Sequence, residues 1–184
     1  MRELSLNILD VAQNSISAGA KLITLTLCEN RKENSLVIEI GDNGCGMTKE
    51  QVLSVTDPFY TTRTTRKVGM GVPLFKMAAE MTGGSFEIQS EKGKGTLVRA
   101  VFKTDSVDFT PVGDIASTVV MLITMNTDRE FVYTHAVDGR EFVLETVKVK
   151  ELLGDVPVNS FEISQWLKDY INENINDLYG GAEN

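Results

Sequence analysis

Asp10 and Asn14 lie four residues apart in a stretch whose apolar residues recur at helical spacing, so both side chains leave one face, a turn apart. The carboxylate could orient or deprotonate an attacking water or hydroxyl, and the amide oxygen could bind a magnesium ion that also holds phosphate oxygens. Taken alone, such a pair is more often a solvated helix face. Asp42–Met47 reads DNGCGM, an acid followed by Gly44 and Gly46, which let backbone approach a flat ligand. An ionised Asp42 only accepts hydrogen bonds, so it suits an exocyclic amino group such as that of adenine and disfavours the carbonyl of guanine. The bland alternative is an Asn-Gly turn. Cys45 reads as a small space-filling residue, with no base or cation visibly beside it.

Residues 57–74, DPFYTTRTTRKVGMGVPL, set Arg63, Arg66 and Lys67 against the single acid Asp57, which suggests an anion. Gly69 and Gly71 precede a helix starting near Val72, where free backbone N–H groups and the helix dipole can meet a phosphate chain. The pattern is neither a Walker A nor a Rossmann loop, and its bland reading is a surface loop with a glycine cap. Finally, Gly95-Thr96 opens a strand whose hydroxyl could support Asp42 directly or through a water, the alternative being a plain hairpin turn. Each patch is weak alone; their order along the chain carries the inference.

The elements that must position these residues follow from periodicity. Leu4, Ile8, Val11, Ala12 and Ile16 predict a helix closed by Gly19; Leu22–Leu27 and Ser35–Ile40 predict strands, the second ending at the Asp42 loop. The stretch 57–71 lacks apolar periodicity and is a mobile-loop candidate, and Pro73 suits the first turn of a helix running to about Thr82. Ser85–Ser90 and Thr96–Lys103 predict a hairpin. From Asp105 the texture changes to a Pro/Gly linker, the apolar run Val119–Met125, and a short appended hairpin turning at Asp138-Gly139. A last helix, opened by an Asn159/Glu162 capping box, sets Phe161, Ile163, Trp166, Leu167, Tyr170, Ile171, Ile175 and Leu178 on one face; the residues after Gly180 are expected to fray.

The formal net charge of −8 would repel a phosphate backbone, and no basic run offsets it, so nucleic acid is not expected as a partner. Cys28 and Cys45 lack zinc-ligand spacing, and the sole histidine, His135, falls in a predicted strand. The N-terminus lacks a signal-peptide pattern and no apolar run reaches membrane length, so the expectation is a soluble, reducing, cytoplasmic setting with no membrane.

Over about residues 3–103 the sequence resembles the GHKL ATPase superfamily, on four boxes in the family's order. LDVAQNSISAGAKLITLTL looks most like the MutL version; DPFYTTR, the GMG loop and TGGSFEIQSEKGKGT look like a histidine kinase. The resemblance implies an α+β Bergerat-type two-layer sandwich, a mixed sheet covered by helices on one face, as an ATP-binding domain over 1–104. Residues 105–184 then form a C-terminal extension of hairpin plus helix. It implies ATP and Mg²⁺ as ligands, with Asn14 on the metal, Asp42 and Thr96 on adenine, Gly46 by the base and sugar, and Gly69 and Gly71 on the phosphates. Asp10 takes the catalytic-base position, where hydrolysing members usually carry the longer Glu. Gly44, Met47, Phe59, Arg63, Lys67, Met70 and Val72 complete the expected nucleotide-binding set, Lys67 standing at the first glycine position of the kinase loop.

No helix bearing a phosphoacceptor histidine is read in the chain, so a self-contained histidine kinase is not expected. The leading expectation is a protein that uses ATP to act on a separate, unidentified protein partner, as a weak ATPase or a Ser/Thr kinase of the anti-sigma-factor type. The rival is a non-catalytic, ATP-gated protein-binding module. A MutL-like role on DNA ranks third, against the acidic charge. The oligomeric state stays open.

Overall fold

The computed structural model describes residues 3–57, 59 and 69–180. Among the described residues, alternating apolar residues build six strands: β1 (Leu22–Asn30), β2 (Ser35–Asp42), β3 (Ser85–Glu91), β4 (Gly95–Lys103), β5 (Glu130–Val137) and β6 (Arg140–Glu145). They form one mixed sheet in the order β3-β4-β2-β1-β5-β6, with β1 and β5 parallel and every other pair antiparallel. The register places Leu25, Ile40, Val98, Tyr133 and Leu144 on one face, where all five are buried.

Among the described residues six helices accompany the sheet: α1 (Leu4–Ser17), α2 (Lys49–Thr56), α3 (Gly71–Met81), α4 (Ile115–Met125), α5 (Thr146–Leu153) and α6 (Phe161–Leu178). Helix α1 packs against β2 and between α3 and α4, α3 lies against β3 and β4, and α4 and α6 lie over β5. The opposite sheet face, carrying Thr24, Thr26, Val37, Arg99 and Thr134, is only half-buried. This is the expected α+β two-layer sandwich.

The hairpin turning at Asp138-Gly139 extends the main sheet. Strand β5 pairs with β1 in continuous register from Leu22↔Glu130 to Glu29↔Val137, so β1 is an interior strand with both edges bonded. The apolar run Val119–Met125 belongs to α4, whose Val119, Val120, Leu122 and Ile123 are buried. The linker before it is packed too: the carbonyls of Pro111 and Val112 accept from the N–H groups of Leu4 and Ser5, both at 2.9 Å. They satisfy donors that Glu3, which makes no side-chain cap, leaves open.

Sequence periodicity passed over α2, although Thr48 and Gln51 close a capping box at its start, and over α5. Conversely, no Asn159/Glu162 box forms, because α6 begins at Phe161 after Ser160, which makes no side-chain cap. Its inner face is narrower than the predicted stripe: Leu167, Ile171 and Leu178 are buried, whereas Phe161, Trp166 and Tyr170 remain exposed. The predicted loop residues Arg63, Arg66 and Lys67, and the chain after Gly180, lie outside the described residues.

Candidate functional site

Asp42 ends β2 with its side chain toward the helices, and α1 supplies its first partner. Ser15 Oγ donates to Asp42 Oδ2 at 2.6 Å, and the Gly44 N–H donates to Oδ1 at 2.8 Å. Each carboxylate oxygen keeps a second lone pair, so the pair of bonds fixes the group while leaving it able to accept from a ligand. Ser15 was not expected. Its signal was a polar residue on the apolar face of α1, in sequence with Ile8, Val11 and Ala12, all buried as Ser15 itself is.

Thr96 faces Asp42 across the β2–β4 register but does not bond to it. Its hydroxyl instead lies 2.8 Å from that of Ser90, which also accepts the Met47 N–H at 2.8 Å and reaches the Gly95 carbonyl at 3.0 Å. Ser90 has one proton; with that proton on the Gly95 carbonyl, Thr96 donates to Ser90 and offers only lone pairs to a ligand. In that arrangement Thr96 presents an acceptor, held by a residue that sequence reasoning missed.

The glycines of the Asp42 loop have packing roles. A Cβ on Gly44 would lie 2.8 Å from Ala18 Cβ, and one on Gly46, whose φ is +66°, would lie 2.0 Å from the Glu91 carbonyl oxygen. They let the loop press between the end of α1 and the β3–β4 turn, where Cys45 N–H donates to Ala18 O and the Gly93 N–H donates to Cys45 O at 2.6 Å. The Cys45 side chain is exposed, so it fills no internal space.

Asp10 and Asn14 are both exposed, one turn apart on α1. The N-terminus of α3 sits directly on Asp10: a Cβ on Gly71 would come 2.8 Å from Asp10 Cβ. Among the described residues no side chain caps α3 there, its N-cap Met70 is exposed, and Gly71 and Val72 are buried. Uncapped N–H groups beside a carboxylate and an amide form a phosphate-compatible corner. Asn14 offers a single amide oxygen, which fits a magnesium ion that keeps waters and phosphate oxygens as its other ligands; among the described residues no group of three His, Cys, Asp or Glu side chains could hold a metal by itself. Gly69 is exposed at the near end of this corner. Phe59 is 89% exposed, its N–H bonded to Asp57 Oδ1 at 2.9 Å, and it is not brought to the pocket. A groove of about 560 Å³ is lined by Thr24, Gly41, Gln89 and Leu97 of the opposite sheet face and reaches Asp42, Ser90 and Thr96 at the strand ends.

The site is also braced from the C-terminal part of the chain. Asn43 Oδ1 accepts the N–H groups of Lys21 and Leu22 at 2.8 and 2.9 Å, tying the Asp42 loop to residues 18–22. That segment is fastened in turn by the α4–β5 corner: Arg129 Nη1 donates to Ala20 O, and Glu130 N–H to Lys21 O at 2.8 Å. Lys150 of α5 holds the corner through the carbonyls of Thr127 and Arg129 and the Glu130 carboxylate.

The family described as histidine kinase-, DNA gyrase B-, and HSP90-like ATPase matches residues 1–106. A sensor protein of Shewanella frigidimarina is 30% identical over 103 residues, which cover 55% of this chain and 15% of that protein. Sensor protein SrrB of Staphylococcus aureus is 39% identical over 101 residues, covering 52% and 17%. The chain thus matches about a sixth of the length of these curated relatives. The crystal structure of the N-terminal domain of a DNA repair protein superposes with a TM-score of 0.59 at 15% identity, over 99% of this chain and 58% of that one, a likeness of fold.

Proposed function

The chain belongs to the histidine kinase-, DNA gyrase B- and HSP90-like ATPases, and from that premise we propose that it binds Mg-ATP and uses it to act on a separate protein. The action is weak ATP hydrolysis or phosphoryl transfer to a Ser/Thr acceptor, in the manner of an anti-sigma-factor kinase, in the cytoplasm. Asp42, held by Ser15 and Gly44, accepts from the adenine amino group, and Thr96 offers a second acceptor. Gly69 and the backbone N–H groups of Gly71 and Val72 at the start of α3 meet phosphate, with Met47 and Met70 lining the pocket. Arg63 and Lys67 supply further positive charge in this reading. Bound Mg²⁺, on Asn14, would neutralise phosphate charge.

The observation that carries the reading is the contact of Asp10 with Gly71, which puts a candidate general base against the uncapped start of α3. The test is ADP formation and phosphate transfer by the purified chain, compared with Asp10→Asn. Turnover above that of the variant supports an enzyme; equal rates for the two proteins sink the catalytic part. Tight ATP binding without turnover, with partner capture only in its presence, supports a non-catalytic ATP-gated module instead.

A further inference from the structure

Helix α6 carries a surface whose composition works against its own stability. At 100° per residue, Glu162, Trp166, Asp169, Tyr170, Glu173 and Asp177 share one outward arc of the helix. The arc holds four acids, two aromatics and no cation. Lys168, the one basic residue of the helix, is turned away to Asp114 at 3.6 Å. Asp169, Glu173 and Asp177 follow one another at i,i+4, a spacing at which like charges repel. Glu173 and Asp177 also lie toward the negative end of the helix dipole, where no basic residue stands. Arg140 donates to the Asp177 and Leu178 backbone carbonyls, which steadies the helix end without neutralising the acidic side chains by contact.

Between the acids stand two stacked rings. Trp166 and Tyr170 lie 5.1 Å apart at an interplanar angle of 8°, Tyr170 packs edge-on against Phe142 at 5.5 Å, and Trp166 remains 46% exposed. Tyr170 thus fixes the indole from behind while nearly half its surface stays in water. Local rules broken without internal compensation concentrate at functional surfaces, and this surface lies outside the family-matched residues 1–106.

We propose that the outward face of α6, with the Trp166–Tyr170 stack flanked by Glu162, Asp169, Glu173 and Asp177, docks an arginine-bearing, cationic segment of a partner polypeptide. Charge complementarity selects a cation for the four acids. The aromatic stack selects arginine over lysine, because a planar guanidinium can lie flat on the indole while pairing with a neighbouring carboxylate. A docked segment relieves the i,i+4 repulsion and removes the exposed indole from water.

Trp166 is the only tryptophan, so its emission reports directly on this face. The probes are nona-arginine and nona-lysine peptides, followed by tryptophan emission and, with labelled peptide, by anisotropy on the wild type and three variants. These are Trp166→Leu, the quadruple Glu162→Gln/Asp169→Asn/Glu173→Gln/Asp177→Asn, and a control that neutralises the exposed acids Glu33, Glu87, Asp105 and Asp108 to the same net charge. Expected are a saturable change in Trp166 emission and arginine binding about fivefold tighter than lysine binding. The Trp166→Leu variant should bind arginine about fivefold more weakly, and the helix quadruple variant about tenfold more weakly, with the control within about twofold of wild type. An unchanged emission at saturation, equal weakening by the control, or equal affinity for lysine overturns the proposal. So does a dimer by light scattering that shields Trp166, which makes a second copy the occupant.

Discussion

Replacing Asp42 by Asn tests the adenine-facing reading with almost no change of shape. The carboxylate accepts from Gly44 N–H on one oxygen and from Ser15 Oγ on the other. A backbone N–H cannot reverse its role but a hydroxyl can, so the oxygen of the substituted amide must face Gly44 and its NH₂ must face Ser15, which rotates to accept. The fold is thereby kept, while the acceptor offered to the adenine amino group is exchanged for a donor. Loss of a hydrogen bond to a charged group costs about 1.5–3 kcal/mol, which corresponds to a roughly 10- to 150-fold rise in the ATP dissociation constant. GTP should lose less, because its carbonyl now meets a donor, so the preference for ATP over GTP narrows. Isothermal titration with a non-hydrolysable analogue of each nucleotide reads both effects, with thermal melting as the check on folding. A well-folded variant that binds the ATP analogue within about twofold of wild type refutes the assignment of Asp42 to the base.

Arg129→Met should weaken ATP-analogue binding by roughly three- to tenfold through loss of one hydrogen bond with little change in the melting temperature of the nucleotide-free protein. Among the described residues the buried Arg129 Nε has no hydrogen-bond partner and its nearest carboxylate is 4.0 Å away, so the ion contributes little net stability; titration and melting of the same sample separate the two effects. Gly46→Ala should cost about 2–4 kcal/mol in urea unfolding, from its positive φ and the overlap with Glu91 O, whereas Gly93→Ala, with φ +85° and open space, should cost only about 1 kcal/mol. Burial pushes the His135 imidazole down to about 4, so between pH 6.5 and 4 the unfolded chain takes up a proton that the folded chain refuses. Stability should therefore fall by about 3 kcal/mol as pH drops through that window and level off below it. His135→Gln should flatten this slope in urea midpoints, an attribution made simple because His135 is the only histidine.

Much of the sheet and the order of the site patches were legible, because both rest on local signals. Alternation marks β1 and β2, and an acid ahead of two glycines marks the Asp42 loop at the end of β2. What was not legible depends on pairing at a distance. Nothing near Glu130 states that β5 will lie parallel to β1, more than 100 residues earlier. Nothing near Thr96 states that its hydroxyl will be taken by Ser90 and leave Asp42 to Ser15. The width of the apolar stripe on α6 misled in the other direction: helical spacing finds the residues that could share a face, but only the packing against α4, β5 and β6 decides that Leu167 and Ile171 go in and Trp166 stays out.

That distinction bears on where the chain's specificity resides. The groups facing the candidate nucleotide pocket come from α1, the β2 end, the start of α3 and the β3–β4 turn, all within the family-matched residues. The segment behind the pocket, residues 18–22, is held by Arg129 and Glu130 from beyond that match, and their corner is held by Lys150. Strand β5 leaves from this corner and pairs with β6, and both strands contact α6. A load placed on α6 and a change of position at Ala20 are therefore connected through rigid, hydrogen-bonded elements rather than through a flexible linker. Contiguity alone does not make a coupling, which requires that the two events favour different arrangements of the same element. The Arg129–Ala20 bond is the side-chain bond of this path that reaches residues 18–22 directly, and a single substitution removes it while leaving the strand pairing intact. Comparing nucleotide affinity with and without a segment docked on α6, in wild type and Arg129→Met, thus separates transmission through the corner from independent action of the two surfaces.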